Sequence, residues 1–158
     1  MKLIVITGTP GTGKSTLAKL LVKKSGFSHL DLHDYYKIIS TSYDKSKKCY
    51  DIDLKKLEKL VKEKNKTENI ILDSHISHLL PKRMVDLCIV LTCSNLKKLE
   101  ARLKRRKYSK QKIRENLDAE IFQVCLMEAK EKDHKVVVFD TSRTKTPKMI
   151  IPEISKSL

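Results

Sequence analysis

Apolar residues in this chain fall into short runs, separated by stretches in which they recur every three or four positions. The run KLIVIT at residues 2–7 is continuous, short and β-branched, which predicts a strand covered on both faces. Residues 14–25 place Leu17, Leu20 and Leu21 at helical spacing, and Gly26 is a good helix stop. A short strand is expected at 28–32 and an amphipathic helix at 53–64, its apolar positions being Leu54, Leu57, Leu60 and Val61. Two more buried strands read at 69–73 and 86–92. A helix opening on a capping Ser94 follows at 94–106. One long helix is predicted over 109–132, with Ile113, Leu117, Ile121 and Val124 on a stripe, and a fifth strand over 135–140. Thr146-Pro147 reads as the cap and first turn of a last helix, against which Pro152 argues.

Five apolar strands alternating with helices imply an α/β fold whose parallel sheet is covered on both faces. With no repeat and no linker-like stretch, residues 1–158 read as one domain. Such sheets take ligands beyond the carboxyl ends of their strands, so the segments after Thr7, Leu32, Asp73, Thr92 and Asp140 are candidate site walls.

Composition narrows the setting. Hydrophobic residues make up 40% and charged residues 34% of the 158, the balance of a folded chain. No apolar run approaches about 18 residues, so neither a membrane span nor a membrane partner is expected. The N-terminal apolar run is too short for a signal peptide. Cys49, Cys88, Cys93 and Cys125 form no C-x-x-C pair and read as buried free thiols of a reducing, cytoplasmic setting. Lys and Arg total 34 against 19 acidic residues, a net charge of +15 that favours polyanionic partners without locating a site.

The strongest chemical signal follows the first strand. Residues 8–15, GTPGTGKS, match G-x-x-x-x-G-K-[ST] without a gap. Gly8, Gly11 and Gly13 let the backbone turn tightly and approach phosphate oxygens. Successive N–H groups and the start of a helix then converge on the anion. Lys14 supplies a compact charge to the β- and γ-phosphates, and Ser15 a hydroxyl suited to Mg²⁺. Three of the four glycines in the chain lie in this loop. ATP or GTP binding with Mg²⁺ is the expectation.

Two further stretches carry candidate chemistry. NIILDSHISHLLP, residues 69–81, ends an apolar run in Asp73, with His75 and His78 close behind. P-loop enzymes keep an acid near Mg²⁺ at such a strand end. In extended backbone Asp73 and His75 would face the same way, and His78 reads as a surface or packing histidine. A zinc site is not expected, because no cluster supplies the remaining ligands. Residues 97–114 carry ten Lys or Arg and one Glu. The stretch reads either as an RNA-binding patch or as a lid that brings an Arg to the transferring phosphate.

Together, GTPGTGKST, the DSH of residues 73–75, the KRRKYS of 104–109 and the ENLDAEIFQV of 115–124 resemble the adenylate kinase isoenzyme 6 family, over the chain from Met1 to about residue 147. The resemblance implies a P-loop three-layer sandwich with a five-stranded parallel sheet, a monophosphate-binding segment near residues 31–51 and a short lid near 104–114. It implies a nucleoside monophosphate kinase with ATPase activity, using ATP and Mg²⁺, most commonly with AMP as acceptor. It also implies a link to small-subunit ribosome maturation through a ribosomal protein and rRNA, in the cytoplasm or, in a eukaryote, the nucleus. The alternative is an ATP-hydrolysing assembly factor with little monophosphate kinase activity. The candidate nucleotide-binding residues are Gly8, Gly11, Thr12, Gly13, Lys14, Ser15 and Thr16, joined by the lid arginine Arg106. Ser15 and Asp73 fall on metal positions, His75 on the D-x-H histidine, and Lys14, Asp73, His75 and Arg106 form the catalytic set. Asp34 and Lys37 are the acceptor-side candidates.

One departure stands out. Residues 27–82 contain no Arg, and Lys37 stands where the family pattern has one. Lysine supplies charge without a bidentate fork. Tyr35, Tyr36, Tyr43 and Tyr50 lie in this segment as candidates for stacking on a base or for packing. TSYDKSKKCYD at 41–51 is polar and poorly patterned and reads as a mobile stretch.

Overall fold

A computed structural model describes residues 1–46, 49–143 and 151–157. Strand β1 (Leu3–Thr7) lies at the centre of a five-stranded sheet. The other strands are β2 (Ser28–Leu30), β5 (Ile70–Asp73), β6 (Leu87–Thr92) and β7 (Val136–Asp140). Their order is β2-β5-β1-β6-β7, and every pairing is parallel. The chain steps outward from β1 on one side, then returns to build the other, so a crevice opens at the carboxyl end of β1. There Ile6 pairs with Asp73 on one flank and Thr7 with Val90 on the other.

Period-two alternation divides the core. Leu3 and Val5 point into one layer, with Leu57 and Val61 of helix α3 (Leu54–Lys64) and Leu126 and Ala129 of α6 (Val124–Glu131). Ile4 and Ile6 point into the other, with Leu17, Ala18 and Leu21 of α1 (Lys14–Ser25) and Ile154 of α7 (Ile151–Ser157). A third cluster joins Leu99 and Leu103 of α4 (Leu96–Arg105) to Ile113 of α5 (Lys110–Ile121), with Tyr108 packed against it. Its apolar residues hold α4 and α5 together.

Several expectations change. The strand at 28–32 stops at Leu30, because Asp31 caps a 3₁₀ turn at Leu32–Tyr35 by accepting from the His33 N–H at 2.9 Å. After α2 (Tyr36–Ile39), most of the described residues of 41–51 lie in strands. They contribute to an antiparallel pair, β3 (Ser40–Asp44) with β4 (Cys49–Ile52), which Tyr43 opposite Tyr50 helps to hold. Ser94 does not cap α4. Asn95 does, accepting from the Lys98 N–H at 3.0 Å, while the Ser94 hydroxyl donates to Asp140. The long helix over 109–132 is broken. Gln123 sits in the left-handed region at φ 50° between α5 and α6, so the stripe ends and Ile121 and Val124 are exposed. The cap expected at Thr146-Pro147 lies outside the described residues. Pro152 is accommodated in the first turn of α7, where its missing N–H costs nothing.

Among the described residues, no helix is long and apolar enough to cross a membrane. The four cysteines are free; Cys88 and Cys93 are buried, Cys49 and Cys125 only partly.

Candidate active site at the phosphate loop

Residues 8–13 link β1 to α1 in a turn that requires glycine at both ends. At Gly8, φ is 141° and an added Cβ would lie 2.3 Å from the Leu91 carbonyl oxygen. Gly13 has φ 93° and leads directly into α1, an arrangement an L side chain would strain. The loop is closed by its own polar groups. The Thr12 hydroxyl donates to the Thr9 carbonyl at 2.8 Å. The Lys14 ammonium donates to the Gly8 carbonyl at 2.7 Å and to that of Thr9 at 3.1 Å. Burial lowers the Lys14 pKa to about 8, with Arg106 adding to the effect and Asp73 and Glu120 opposing it. A cation held close to its own neutralisation point by desolvation gains from any anion that enters the loop.

Asp73 ends β5 one strand away. One of its oxygens accepts from the Ser15 hydroxyl at 2.7 Å, and the other is bonded to the imidazole Nε2 of His29 on β2. A hydroxyl and a carboxylate oxygen side by side at the start of α1 are hard donors that suit Mg²⁺. Among the described residues there is no group of three His, Cys, Asp or Glu able to hold a metal. Two such donors suit an ion that keeps several waters and takes phosphate oxygens as further ligands.

His75 lies beyond the strand, in the turn that follows, so extended backbone does not align it with Asp73. Its carbonyl accepts from the Cys125 thiol at 3.8 Å, which fixes it against α6. Crowding in the cleft, and then the charge of Lys14, lowers the His75 pKa; water reaching this exposed residue weakens the effect, but the direction keeps it neutral near pH 7. His78 is a core residue, 1% exposed. Its Nδ1 bonds the Thr7 hydroxyl at 2.6 Å and its Nε2 bonds Glu128 at 2.7 Å.

The turn expected to be a lid joins α4 to α5 through Arg106 and Lys107, the latter at φ 56°, and Ser109 caps α5 by accepting from the Lys112 N–H at 3.2 Å. Arg106 is exposed at the end of α4, and its charge reaches Lys14. Thr16 is exposed on the first turn of α1. On the acceptor side Asp34 and Lys37 are also exposed, and neither is brought to the phosphate loop by a hydrogen bond or ion pair among the described residues. Tyr36 is half-buried, packed against the core layer of Leu3 and Val5. Burial raises its pKa, with the charges of Asp31 and Asp73 contributing, and its ring lies 5.2 Å from that of Tyr50.

The chain as a whole is similar to known proteins. A model of the AAA domain family covers residues 4–123. A protein of Pyrococcus abyssi named "Putative adenylate kinase" is 39% identical over 152 residues, spanning 96% of this chain and 81% of that one. A Schizosaccharomyces pombe protein, an adenylate kinase isoenzyme 6 homolog, is 38% identical over 138 residues, spanning 85% and 78%. The chain belongs to the adenylate kinase isoenzyme 6 family. Among solved structures, the deoxyadenosine kinase of M. mycoides with bound dATP has a TM-score of 0.62 over 98% of this chain and all of the other, at 20% identity, which shows a shared P-loop kinase fold.

Within this isoenzyme 6 fold, three polar residues join the site that sequence reasoning passed over. His29 holds Asp73. Arg102 on α4 donates to the Gly11 carbonyl at 3.2 Å and to the Thr141 hydroxyl at 3.2 Å. Glu120 on α5 is 7% exposed and accepts from Thr9 and from the Cys93 N–H. Arg102 lies in the basic run and Glu120 in an amphipathic stretch, so composition hides both. The usable signal for Glu120 was its place on an otherwise apolar helix face.

Proposed function

We propose that this protein transfers the γ-phosphoryl group of ATP to a nucleoside monophosphate, with AMP the first acceptor to test. The observation that carries this reading is the Lys14 ammonium, desolvated at the mouth of the loop and adjacent to the Ser15–Asp73 pair. The adenylate kinase names of its relatives support it. In this reading the loop amides from Gly8 to Thr16, those of Gly11, Thr12 and Gly13 foremost, hold the phosphate oxygens. Lys14 stabilises charge on the group being transferred. Ser15 and Asp73 would hold Mg²⁺, which when bound neutralises charge between the β- and γ-phosphates. Arg106 enters from the lid, and neutral His75 accepts a hydrogen bond from the attacking group. Asp34 and Lys37 are assigned to the acceptor, with Tyr36 against its base.

The test is direct. The purified protein is given ATP, Mg²⁺ and each monophosphate in turn, and ADP formation from both substrates is followed. Two ADP per ATP with AMP supports the kinase reading, whereas ATP loss at the same rate with and without any monophosphate rejects it.

A second reading is favoured by one feature, the absence of Arg from residues 27–82. The same site would then hydrolyse ATP, and lid closure would act on a small-subunit ribosomal protein or rRNA during subunit maturation in the cytoplasm or nucleus. The net charge of +15 suits such a neighbourhood. Acceptor-independent ATP turnover that increases with added rRNA is its expected signature.

A further inference from the structure

Helix α5 begins just after the lid turn and ends near the phosphate loop. On its last turn Glu120 enters the protein interior as a carboxylate, an arrangement that costs free energy unless every oxygen is satisfied. Both are. One oxygen accepts from the Cys93 N–H at 2.6 Å, at the end of β6. The other accepts from the Thr9 hydroxyl at 2.5 Å, in the loop. These are short, charge-assisted bonds.

Holding the Cys93 amide would need one oxygen only. The second is spent on a residue through which the loop is built. The Thr9 carbonyl accepts from the Lys14 ammonium at 3.1 Å, from the Thr12 hydroxyl at 2.8 Å and from the Thr12 N–H at 3.3 Å. Thr9 therefore has its side chain fixed by Glu120 while its backbone fixes Lys14. A shift of Glu120 displaces the cradle of the lysine.

We propose that Glu120 is a positioning residue: through the Thr9 hydroxyl it ties the helix after the lid to the loop that aims Lys14. This rests on the phosphate-loop reading of the function. Glu120 touches neither nucleotide nor metal in this assignment and acts only through Thr9. Many loop amides share the ground-state binding of phosphate, so a misaimed Lys14 affects the transition state more than the bound nucleotide.

Four variants test it: T9V, T9S, E120A and the T9V/E120A double substitution. Valine keeps the shape of threonine and removes the hydroxyl. T9V is expected to lower kcat about ten- to a hundredfold, as misplaced catalytic groups do, with the Kd for ADP changed less than about threefold. Serine restores the hydroxyl, and T9S is expected to recover most of that loss. The double variant is expected to be no slower than the slower single one, because both break one link. If E120A fails to fold, T9V against T9S still decides. Independently of turnover, ¹⁵N order parameters of residues 9–13 should fall in T9V and be restored in T9S. Wild-type protein that orders this loop yet forms no ADP from AMP would reject the proposed kinase function while leaving the order-parameter comparison to judge Glu120. Turnover and loop order unchanged in T9V, T9S as impaired as T9V, or losses that multiply in the double variant would each overturn the proposal.

Discussion

Lys14, Asp73, His75 and His78 carry different burdens although three of them lie within six residues. Lys14→Ala removes a desolvated cation from the phosphate loop. Turnover is expected to fall about 10²–10³-fold or more, while the circular dichroism spectrum and melting profile stay near those of wild type. His78 has the opposite profile. Its ring is buried between Thr7 and Glu128, so His78→Ala leaves a buried hydroxyl without its partner and costs about 1–3 kcal/mol of stability, measurable by urea denaturation. Burial lowers the His78 pKa; the Glu128 carboxylate opposes this, and the charges of His134 and Lys132 reinforce it. A histidine whose folded pKa lies below its unfolded value takes up its proton preferentially when unfolded. Its stabilisation is present above about pH 6.5 and is lost as pH falls through the lower folded value. The loss of stability on acidification should therefore be shallower in His78→Gln than in wild type. An equal slope in the two would remove His78 from the acid response.

At the scale of elements, the turn between α4 and α5 and the break between α5 and α6 each carry a prediction. Arg106 sits where α4 ends, exposed and in electrostatic reach of Lys14. If the turn closes over nucleotide, Arg106→Ala lowers kcat more than it raises the Kd for ATP, read from steady-state kinetics beside equilibrium binding. Unchanged nucleotide kinetics with weaker, less salt-sensitive RNA binding would identify the turn as an RNA patch instead. The break depends on Gln123 at φ 50°. A side chain in that region is strained and glycine is not, so Gln123→Gly should raise stability by up to about 1 kcal/mol despite the added freedom of the unfolded chain. A lower melting temperature would mean that the Gln123 side chain contributes more than its backbone costs. The same break leaves Phe122 at 74% and Met127 at 50% exposure, since α6 re-enters the core on Leu126 and Ala129 rather than continuing the stripe of α5.

For the whole molecule, a net charge of +15 on 158 residues means that folding gathers like charges onto one surface. Raising the salt from about 0.05 to 0.5 M contracts the range of that repulsion to a few ångströms. The melting temperature should rise with salt, and the ATP-induced increase should shrink over the same range. A melting temperature that falls with salt would show that local ion pairs outweigh the general repulsion.

The sequence alone determined the five strands of the main sheet and most of the helices beside it, because burial on both faces of a parallel sheet demands continuous apolar runs and helices demand a three-to-four spacing; the polar β3–β4 pair, with neither signal, it did not show. It also determined the phosphate loop, since the tight turn, the lysine and the hydroxyl sit on consecutive residues. It placed Asp73 at a strand end, though not against Ser15. Only the tertiary structure decided which polar groups meet. His29 reaches Asp73 across 44 positions of chain and Glu120 reaches Thr9 across 111, through strand order and helix placement that no local period records. It likewise decided that His75 lies in a turn, that His78 is core and that the long helix breaks at Gln123. The two histidines are placed by the packing of the segment after β5 against α6, and the break by how far a helix can follow the sheet before its apolar stripe, drifting at 3.6 residues per turn, leaves the surface it must cover.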